Sequence, residues 1–421
     1  MKKIFLLLVL LVSLGLYAQQ GDIKGFVYDK KTGEVAMFAN VMLKGTTFGA
    51  STDMNGYFTI SNIPVGSYTL VVSFLGYKDI EKQITVERNK IMTLKLFIEK
   101  DSKVLETVEI SADRQEQKTQ IKTSVIKISP KQMKKIPTIG GEPDIAQYLQ
   151  ILPGVVSSGD QGGQLYIRGG APIQNKVLMD GMTIYNPFHS IGFFSVFDAD
   201  IISTADVYTG GFNAQYGGRI SSIMDFKMRD GNKKKFSGKV SATTFGAKAM
   251  FEGPIKKQTL EGNGSSSFIL SAKTSYLSQS SQVFYNYVND GNGLPFDYTD
   301  LYGKFSMNAK NGSRLSFFGF NFDDRVTYQA LSDLHWTNYG FGTKMSLVPG
   351  NSKAIIHVNF AFSDYNISLA TSDNLPRESG SNGYNFGLAF TYYLGKNQLD
   401  YGIESEGSKT DFNFYNSVAS I

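Results

Sequence analysis

From Phe236 to Phe412 the sequence is filled with long alternations of apolar and polar residues, and these limit what the chain can fold into. In the stretch KAIIHVNFAFS the apolar side chains fall at every second position, at Ile356, Val358, Phe360 and Phe362. SFILSAKTSY, NYGFGTKMSL and GYNFGLAFTYYL repeat the pattern. Because side chains point to alternate faces of a β-strand, each stretch predicts a strand with one apolar face.

The length of these alternations separates two kinds of β-protein. Strands of about ten residues with aromatic side chains near their ends are typical of a transmembrane β-barrel, in which the outer face meets lipid and the lumen is polar. A soluble β-sandwich would have shorter strands. We therefore predict antiparallel barrel strands. About eight candidates occur, near 236–253, 264–278, 298–310, 313–323, 337–348, 353–367, 382–395 and 398–412.

The first eighteen residues, MKKIFLLLVLLVSLGLYA, have the layout of a secretory signal peptide: two lysines, an apolar run and the small residue Ala18 before Gln19. The alternative is a membrane anchor, but the run from Ile4 to Leu16 is shorter than the ~20 apolar residues that a spanning helix needs. We expect residues 1–18 to be removed and the mature chain to be exported.

Composition narrows the chemistry. The sequence has no cysteine, which excludes disulfides and thiol nucleophiles. A net charge of +5 is too small and too dispersed to predict nucleic acid as a partner. The three histidines, at positions 189, 335 and 357, have no carboxylate or second histidine at ligand spacing. Since no nucleophile, base and orienting group occur together, we predict neither an enzyme nor a bound cofactor or metal.

Residues 19–99 contain short apolar runs separated by turn residues, as in a small β-sandwich. Five patterns stand out: Gly25-x-Val27-x-Asp29, Ala39-Asn40-Val41, Thr52-Asp53-x-Asn55-Gly56-x-Phe58, Pro64-x-Gly66-x-Tyr68 and Gly76-Tyr77. Together they resemble the carboxypeptidase-regulatory-like domain, which implies a seven-stranded fold without peptidase chemistry. Asn55 and Gly56 are interpreted as a hairpin turn rather than as part of a calcium loop, because no Glu stands at the final position of such a loop.

Residues 100–131 are rich in charged and polar residues, and one apolar pattern stands out among them, KVLETVEISA. It makes a poor amphipathic element and favours an extended segment that could add to another protein's sheet. A simple linker strand would have the same pattern, so at this point both interpretations stay open.

The segment that follows combines a short helix with several strands. Ile145, Leu149 and Leu152 have helical spacing, with Pro143 suited to the first turn and Pro153-Gly154 as the stop. Short strands are predicted at 164–168, 176–179, 204–208 and 222–227.

Four motifs occur here in a characteristic order: LQILPGV, LYIRGG, VLMDGMTIY and VYTGGFNAQYGGR. They resemble the plug domain of TonB-dependent outer-membrane receptors, and the resemblance covers residues 117–232. It implies an α+β plug, and it implies TonB, energised by ExbB and ExbD, as a periplasmic partner. It also implies that the segment before the plug is the TonB box, with the residues Leu105, Glu106, Thr107, Val108, Glu109 and Ile110.

The stretch QLYIRGGAPIQNKVLMDG has the residues of a possible site: Arg168, Gly169, Gly170, Asp180 and Gly181. Catalysis by Asp180 would need a nearby partner base, and RNA binding would need repeated Arg-Gly-Gly units in a basic tail. We interpret the five residues as plug architecture, two strand ends and a Gly-Gly turn that admits positive φ. An ion pair between Arg168 and Asp180, or contacts with carbonyls, is the predicted role of the two charges.

Barrel size sets an expectation for the whole chain. A barrel that holds a plug has about 22 strands, whereas side chains alone fill a barrel of eight. Residues 233–421 therefore predict the first ~8 strands of a truncated wall, a fragment that does not transport alone because an open sheet edge cannot face lipid. Lys233 to Lys235 predict a solvated turn or, as the weaker alternative, a contact with lipid headgroups.

The predicted organisation is a signal peptide (1–18), a β-sandwich (19–99), a TonB-box linker (100–116), a plug domain (117–232) and a partial outer-membrane β-barrel (233–421). This mostly β chain is expected in the cell outer membrane, with the sandwich and the TonB box in the periplasm. Its expected function is active uptake of a scarce extracellular small ligand, such as a siderophore, glycan or peptide. The sequence identifies no substrate-binding residue.

Two alternatives stay open. The chain could be a surface binding protein or adhesin that uses the sandwich domain, or a receptor that mainly senses its ligand. Outer-membrane lipid and TonB are partners only under the receptor hypotheses.

Overall fold

The computed structural model describes residues 20–101, 125–136, 141–158, 164–189, 192, 194–259, 263–328, 332–350, 352–372, 375–394 and 397–415. The predicted signal peptide and TonB box lie outside the described residues. Over the described ranges, no α-helix has both the length and the apolar character needed to cross a lipid bilayer.

The N-terminal unit is a seven-stranded β-sandwich, as predicted. Its strands are β1 (Gln20–Asp29), β2 (Asn40–Leu43), β3 (Gly49–Ser51), β4 (Tyr57–Pro64), β5 (Gly66–Ser73), β6 (Ile80–Val86) and β7 (Ile91–Ile98). One sheet has the order β4-β1-β7 and the other β3-β2-β5-β6. Alternate residues of β1, among them Ile23 and Val27, enter the core between the sheets.

The turn at Asp53 to Gly56 differs from the predicted hairpin. It joins β3 and β4, which belong to different sheets, so the flanking strands are not partners. The Asp53 carboxylate closes the turn by accepting hydrogen bonds from the backbone N–H groups of Asn55 and Tyr57, both at 2.8 Å. Only Gly56 of the Asn-Gly pair has a positive φ.

The second unit is the predicted α+β domain. Its five-stranded sheet has the order β12-β11-β14-β13-β8, and a separate hairpin pairs β9 with β10. The elements are β8 (Val125–Ile128), α1 (Pro130–Met133), α2 (Ile145–Gln150), β9 (Val155–Ser158), β10 (Gln164–Ile167), β11 (Asn175–Met179), β12 (Met182–Thr183), β13 (Ile202–Tyr208) and β14 (Ser222–Met228).

Local chemistry explains the limits of α2. The side chain of Asp144 caps its N-terminus by accepting the N–H of Ala146 at 2.8 Å. Ile145 and Leu149 are buried from one face of the helix. The chain leaves the helical direction at Gly154, whose φ of 79° suits glycine.

The third unit is an antiparallel sheet of nine consecutive strands, here called the wall. Its elements are β15 (Ser237–Ala242), β16 (Gly246–Lys256), β17 (Ser265–Ser275), α3 (Leu277–Phe284), β18 (Phe296–Asn308), β19 (Arg314–Tyr328), β20 (Ser332–Leu347), β21 (Ala354–Thr371), β22 (Arg377–Leu394) and β23 (Asn397–Phe414). The prediction of about eight strands was one short, because the first candidate is the two strands β15 and β16. The described wall is open, with β15 and β23 at its edges.

The two faces of the wall differ as the alternation predicted, with one correction. Apolar side chains such as Leu270, Phe341 and Phe386 are exposed on the outer face. The inner face packs on the plug, but it is not uniformly polar: Phe318, Phe320, Phe322 and Trp336 belong to the core shared with the plug. The aromatic side chains are there because the plug, rather than water, covers this part of the wall.

Glycines make room for this aromatic patch. A Cβ at Gly340 would lie 2.6 Å from the ring of Phe320, and a Cβ at Gly342 would lie 2.6 Å from the ring of Phe318. The glycines on the inner face of β20 therefore let the rings of the neighbouring strand lie flat against it.

Candidate functional site

Two tight turns contain the predicted plug residues. Arg168 and Gly169 have φ values of 48° and 81°, and Gly170 pairs back to Ile167 through an N–H to carbonyl bond of 2.9 Å. The second turn has the same form, with φ values of 48° at Asp180 and 87° at Gly181 between β11 and β12. Two successive positive φ values are typical of two-residue hairpin turns of type I′. Each turn thus places a charged residue in a left-handed conformation.

Gly170 and Arg168 connect the first turn to its surroundings. Gly170 has an ordinary φ, but a Cβ there would lie 2.2 Å from Oγ of Ser221, so the position requires close packing rather than a positive φ. The backbone N–H of Arg168 donates to the carbonyl of Gly154 at 2.8 Å. Its side chain lies along Gly154 and Gly210, where an added Cβ would lie 3.2 Å and 2.4 Å from Arg168 atoms.

Asp180 does not pair with Arg168 among the described contacts and instead joins the plug to the wall. Its side chain is 3% exposed. The hydroxyl of Tyr302 and the ammonium of Lys304, both on β18, donate to Oδ2 at 2.8 and 3.2 Å. Lys344 of β20 places its Nζ 3.9 Å from Oδ1. We call this group the Asp180 anchor.

A second contact, the Asp198–Asp200 anchor, joins the loop before β13 to β15, β16 and β17. The ammonium of Lys248 lies 3.0 Å from Asp198 and 2.7 Å from Asp200. Lys239 lies 2.7 Å from Asp200, and Ser271 donates to Asp198 at 2.7 Å. Burial alone would raise the pKa of Asp200, but the two lysines outweigh it and hold that pKa below its ordinary value.

The third contact, the His189 anchor, was not predicted. His189 is 1% exposed, with Nε2 2.9 Å from Asp300 of β18 and Nδ1 2.8 Å from Asp324 of β19. An ionised carboxylate only accepts hydrogen bonds, so the imidazolium is the form that satisfies both contacts. Its ring stacks on Tyr298 at 3.7 Å.

Charge and burial oppose each other at His189. Burial alone would lower the pKa of His189, but the carboxylates of Asp300 and Asp324 outweigh it and raise that pKa above its ordinary value. Lys273, which lies 3.6 Å from Asp300, acts in the opposite direction. Within the described ranges, no group of three or more His, Asp or Glu side chains could hold a metal ion.

Together the three anchors attach one side of the plug to six adjacent strands, β15 to β20. The contacts are ion pairs and hydrogen bonds, which can be exchanged for water without breaking a covalent bond. Sequence reasoning missed His189, Asp198 and Asp200 because their partners are 48 or more residues away in the chain. The predicted TonB-box residues, 105–110, lie outside the described residues and are not placed in relation to this site.

Comparison with known proteins gives two matching family models. The CarboxypepD_reg-like domain matches residues 23–110, and the TonB-dependent Receptor Plug Domain matches residues 117–222. The TonB-dependent receptor SusC of Bacteroides thetaiotaomicron is 30% identical over 233 residues, which are 53% of this chain and 22% of SusC. The TonB-dependent receptor P3 of Formosa agariphila is 26% identical over 187 residues, 44% of this chain and 17% of that protein.

A solved structure extends the likeness to the fold. The FrpB iron transporter from Neisseria meningitidis matches with a TM-score of 0.52 at 17% identity, over 71% of this chain and 51% of FrpB. The match to the curated relatives spans about a fifth of their length. A carboxypeptidase-regulatory-like domain, a plug domain and the strands of a barrel-like wall thus follow one another in this chain, which is a homologue of the TonB-dependent receptors.

Proposed function

We propose that this chain is part of a TonB-dependent outer-membrane receptor that takes up a scarce extracellular ligand. The observation that carries the proposal is a plug domain attached by three reversible polar anchors to the inner face of a strand wall. The outer face of that wall exposes apolar side chains, among them Leu270, Phe341 and Phe386. Such a face is suited to the hydrocarbon region of a bilayer.

The mechanism needs motion of the plug and no covalent step. Ligand on the outer side and TonB on the periplasmic side act on one domain, and each changes the arrangement that the other meets. The box residues, Leu105 to Ile110, offer TonB a strand, and ExbB and ExbD supply the energy for pulling it. Force on the plug must then break the Asp180, Asp198–Asp200 and His189 anchors.

The five turn residues act as structure in this proposal. Arg168, Gly169 and Gly170 shape one turn of the plug, and Asp180 and Gly181 present a carboxylate to the wall. The ligand class stays open among siderophores, glycans, peptides and similar molecules. The sandwich domain and the box are placed in the periplasm, and the wall in the outer membrane.

Capture by TonB tests this function in the full-length receptor. Val108→Pro removes a strand N–H donor from the box, and we expect at least a tenfold loss of capture by the immobilised periplasmic domain of TonB. The control is Val240→Pro, at an exposed position of β15 outside the box. Equal capture of the wild type and Val108→Pro, or fractionation of the wild type outside the outer membrane, would contradict the proposal.

A further inference from the structure

The N-terminal sandwich packs against one end of the wall. Phe26, Tyr28 and Tyr57 of the sandwich form one buried cluster with Val348 and Ile355 of the wall. These wall residues flank the turn between β20 and β21. We call this contact, with the polar contacts around it, the dock.

Strand β1 has a side for the core and a side for the dock. Ile23 and Val27 enter the sandwich core, whereas Lys24, Phe26 and Tyr28 point the other way, in keeping with the period of two along a strand. Both sides are buried. A surface strand of an isolated sandwich would have one wet side, so the apolar side with Phe26 and Tyr28 is built for a partner.

Lys24 is the most specific part of the dock. The residue is 1% exposed, and its ammonium donates to three carbonyls of a single wall turn, those of Pro349 at 2.6 Å, Gly350 at 2.9 Å and Ser352 at 3.0 Å. An ammonium has three N–H donors, so this turn satisfies all of them. Without the wall the buried lysine would lose its partners.

Polar contacts surround the aromatic cluster. The guanidinium of Arg314 donates to the carbonyl of Asn55 at 2.8 Å, and the hydroxyl of Tyr393 donates to Asp53 at 3.3 Å. Lys353 lies 3.0 Å from Asp22. The turn from Asp53 to Gly56 is therefore part of the dock.

The dock also restrains the segment that joins the sandwich to the plug. The described sandwich ends at Asp101 and the plug sheet begins at Val125. The predicted box, residues 105–110, starts four residues after Asp101 and ends fifteen before Val125. At ~3.4 Å per residue, a docked sandwich keeps the box within about 15–30 Å of Asp101, whereas the plug alone would allow about 50–70 Å from Val125.

We propose that the dock is a restraint on TonB access: the docked sandwich holds the box close to the wall turns, and undocking extends its reach into the periplasm. This rests on the proposed function. The partner of the sandwich's aromatic face is thus the wall of its own chain, and TonB competes with that arrangement for the box.

Locking the dock provides the first test. The chain has no cysteine, so a full-length receptor with Asp22→Cys and Lys353→Cys reacts only at the dock. A short bis-maleimide with a reducible bond should join the two residues. We expect the locked receptor to bind the purified periplasmic domain of TonB at least fivefold more weakly, and reduction to restore binding.

Unlocking the dock provides the opposite test. Lys24→Met removes the ammonium from the carbonyls, and Gly312→Leu acts from the wall, where a Cβ would lie 2.0 Å from the Phe26 ring. Both should reduce cross-linking at least threefold and strengthen TonB binding at least threefold. The matched control is Lys44→Met, which removes an exposed lysine paired with Glu81 on the same domain.

The outcomes separate the two proposals. Equal TonB binding by locked, unlocked and wild-type receptors would overturn the restraint, and so would the absence of cross-linking in the wild-type background. A wild type that binds TonB no better than Val108→Pro would overturn the proposed function, while the cross-link yield would still report on the dock.

Discussion

The plug and the sandwich are both attached to the wall, but by different chemistry. The plug is attached by buried charges, at Asp180, Asp198–Asp200 and His189, next to an aromatic patch. The sandwich is attached by aromatic side chains around a single ammonium, that of Lys24. Charge pairs depend on both partners being present, since one partner left alone in a buried site is costly. Aromatic contacts lose stability in proportion to the area removed, so the two attachments should fail in different ways.

The largest effect is expected at the Asp180 anchor. Asp180→Asn keeps the shape but leaves Lys304 and Lys344 without their carboxylate, which should destabilise the attached plug by about 3–5 kcal/mol. Pulse proteolysis of the full-length receptor at increasing denaturant measures the change. Asp411→Asn, which breaks the exposed pair with Lys409, is the control and should have almost no effect. Equal effects of the two variants would contradict a load on the buried anchor.

A large aromatic deletion tests the sandwich side. Phe26→Ala should weaken the dock by about 3 kcal/mol, because the ring packs on the wall outside the sandwich's own core. The yield of the cross-link between Asp22→Cys and Lys353→Cys should fall, while the unfolding midpoint of the plug should stay unchanged. A plug that became protease-sensitive in this variant would show that the two attachments are not independent.

The His189 anchor should make plug attachment depend on pH. A folded pKa raised above the unfolded one means that the stabilisation is complete below the unfolded pKa, about 6.5, and is lost as the pH rises through the folded pKa. His189→Asn should therefore cost about 2 kcal/mol at acidic pH and progressively less at alkaline pH. Thermal unfolding of the plug from pH 5 to pH 9 measures the difference. The relevant neighbours are Asp300, Asp324 and Lys273, and a difference that grows with pH would contradict the imidazolium.

The smallest effect is expected at the turn after β10. Gly170→Ala should cost about 1–3 kcal/mol, because the new methyl group meets Ser221. Ser221→Gly in the same chain should restore most of the loss, since both close atoms belong to that side chain. A double-mutant cycle on plug unfolding measures the coupling, and the absence of rescue would point to the backbone rather than to packing.

The secondary structure could be predicted because its signals are local. Four plug strands were predicted within a few residues of β10, β11, β13 and β14. The period of two also predicted which side chains of β17 and β20 face the plug, among them Lys273 and Lys344. It could not separate β15 from β16, because the short turn between them interrupts the alternation only briefly.

The site was less predictable, and Lys233 shows why. The lysine run predicted a solvated turn, yet Lys233 is 1% exposed and lies 2.9 Å from Asp230. It is buried because its backbone N–H also meets the sandwich at Thr32, 3.2 Å away. A pattern within the run does not report which other domain will cover it.

The sequence by itself determined where this chain forms strands and turns, and which face of each wall strand is apolar, because backbone sterics and side-chain alternation act between near neighbours. Tertiary structure alone decided the partners of the buried charges. His189 meets aspartates 111 and 135 residues away, and Lys24 meets a turn more than 300 residues away. Those contacts depend on strand register and domain packing, and burial in a medium of low dielectric constant makes them strong enough to attach one domain to another.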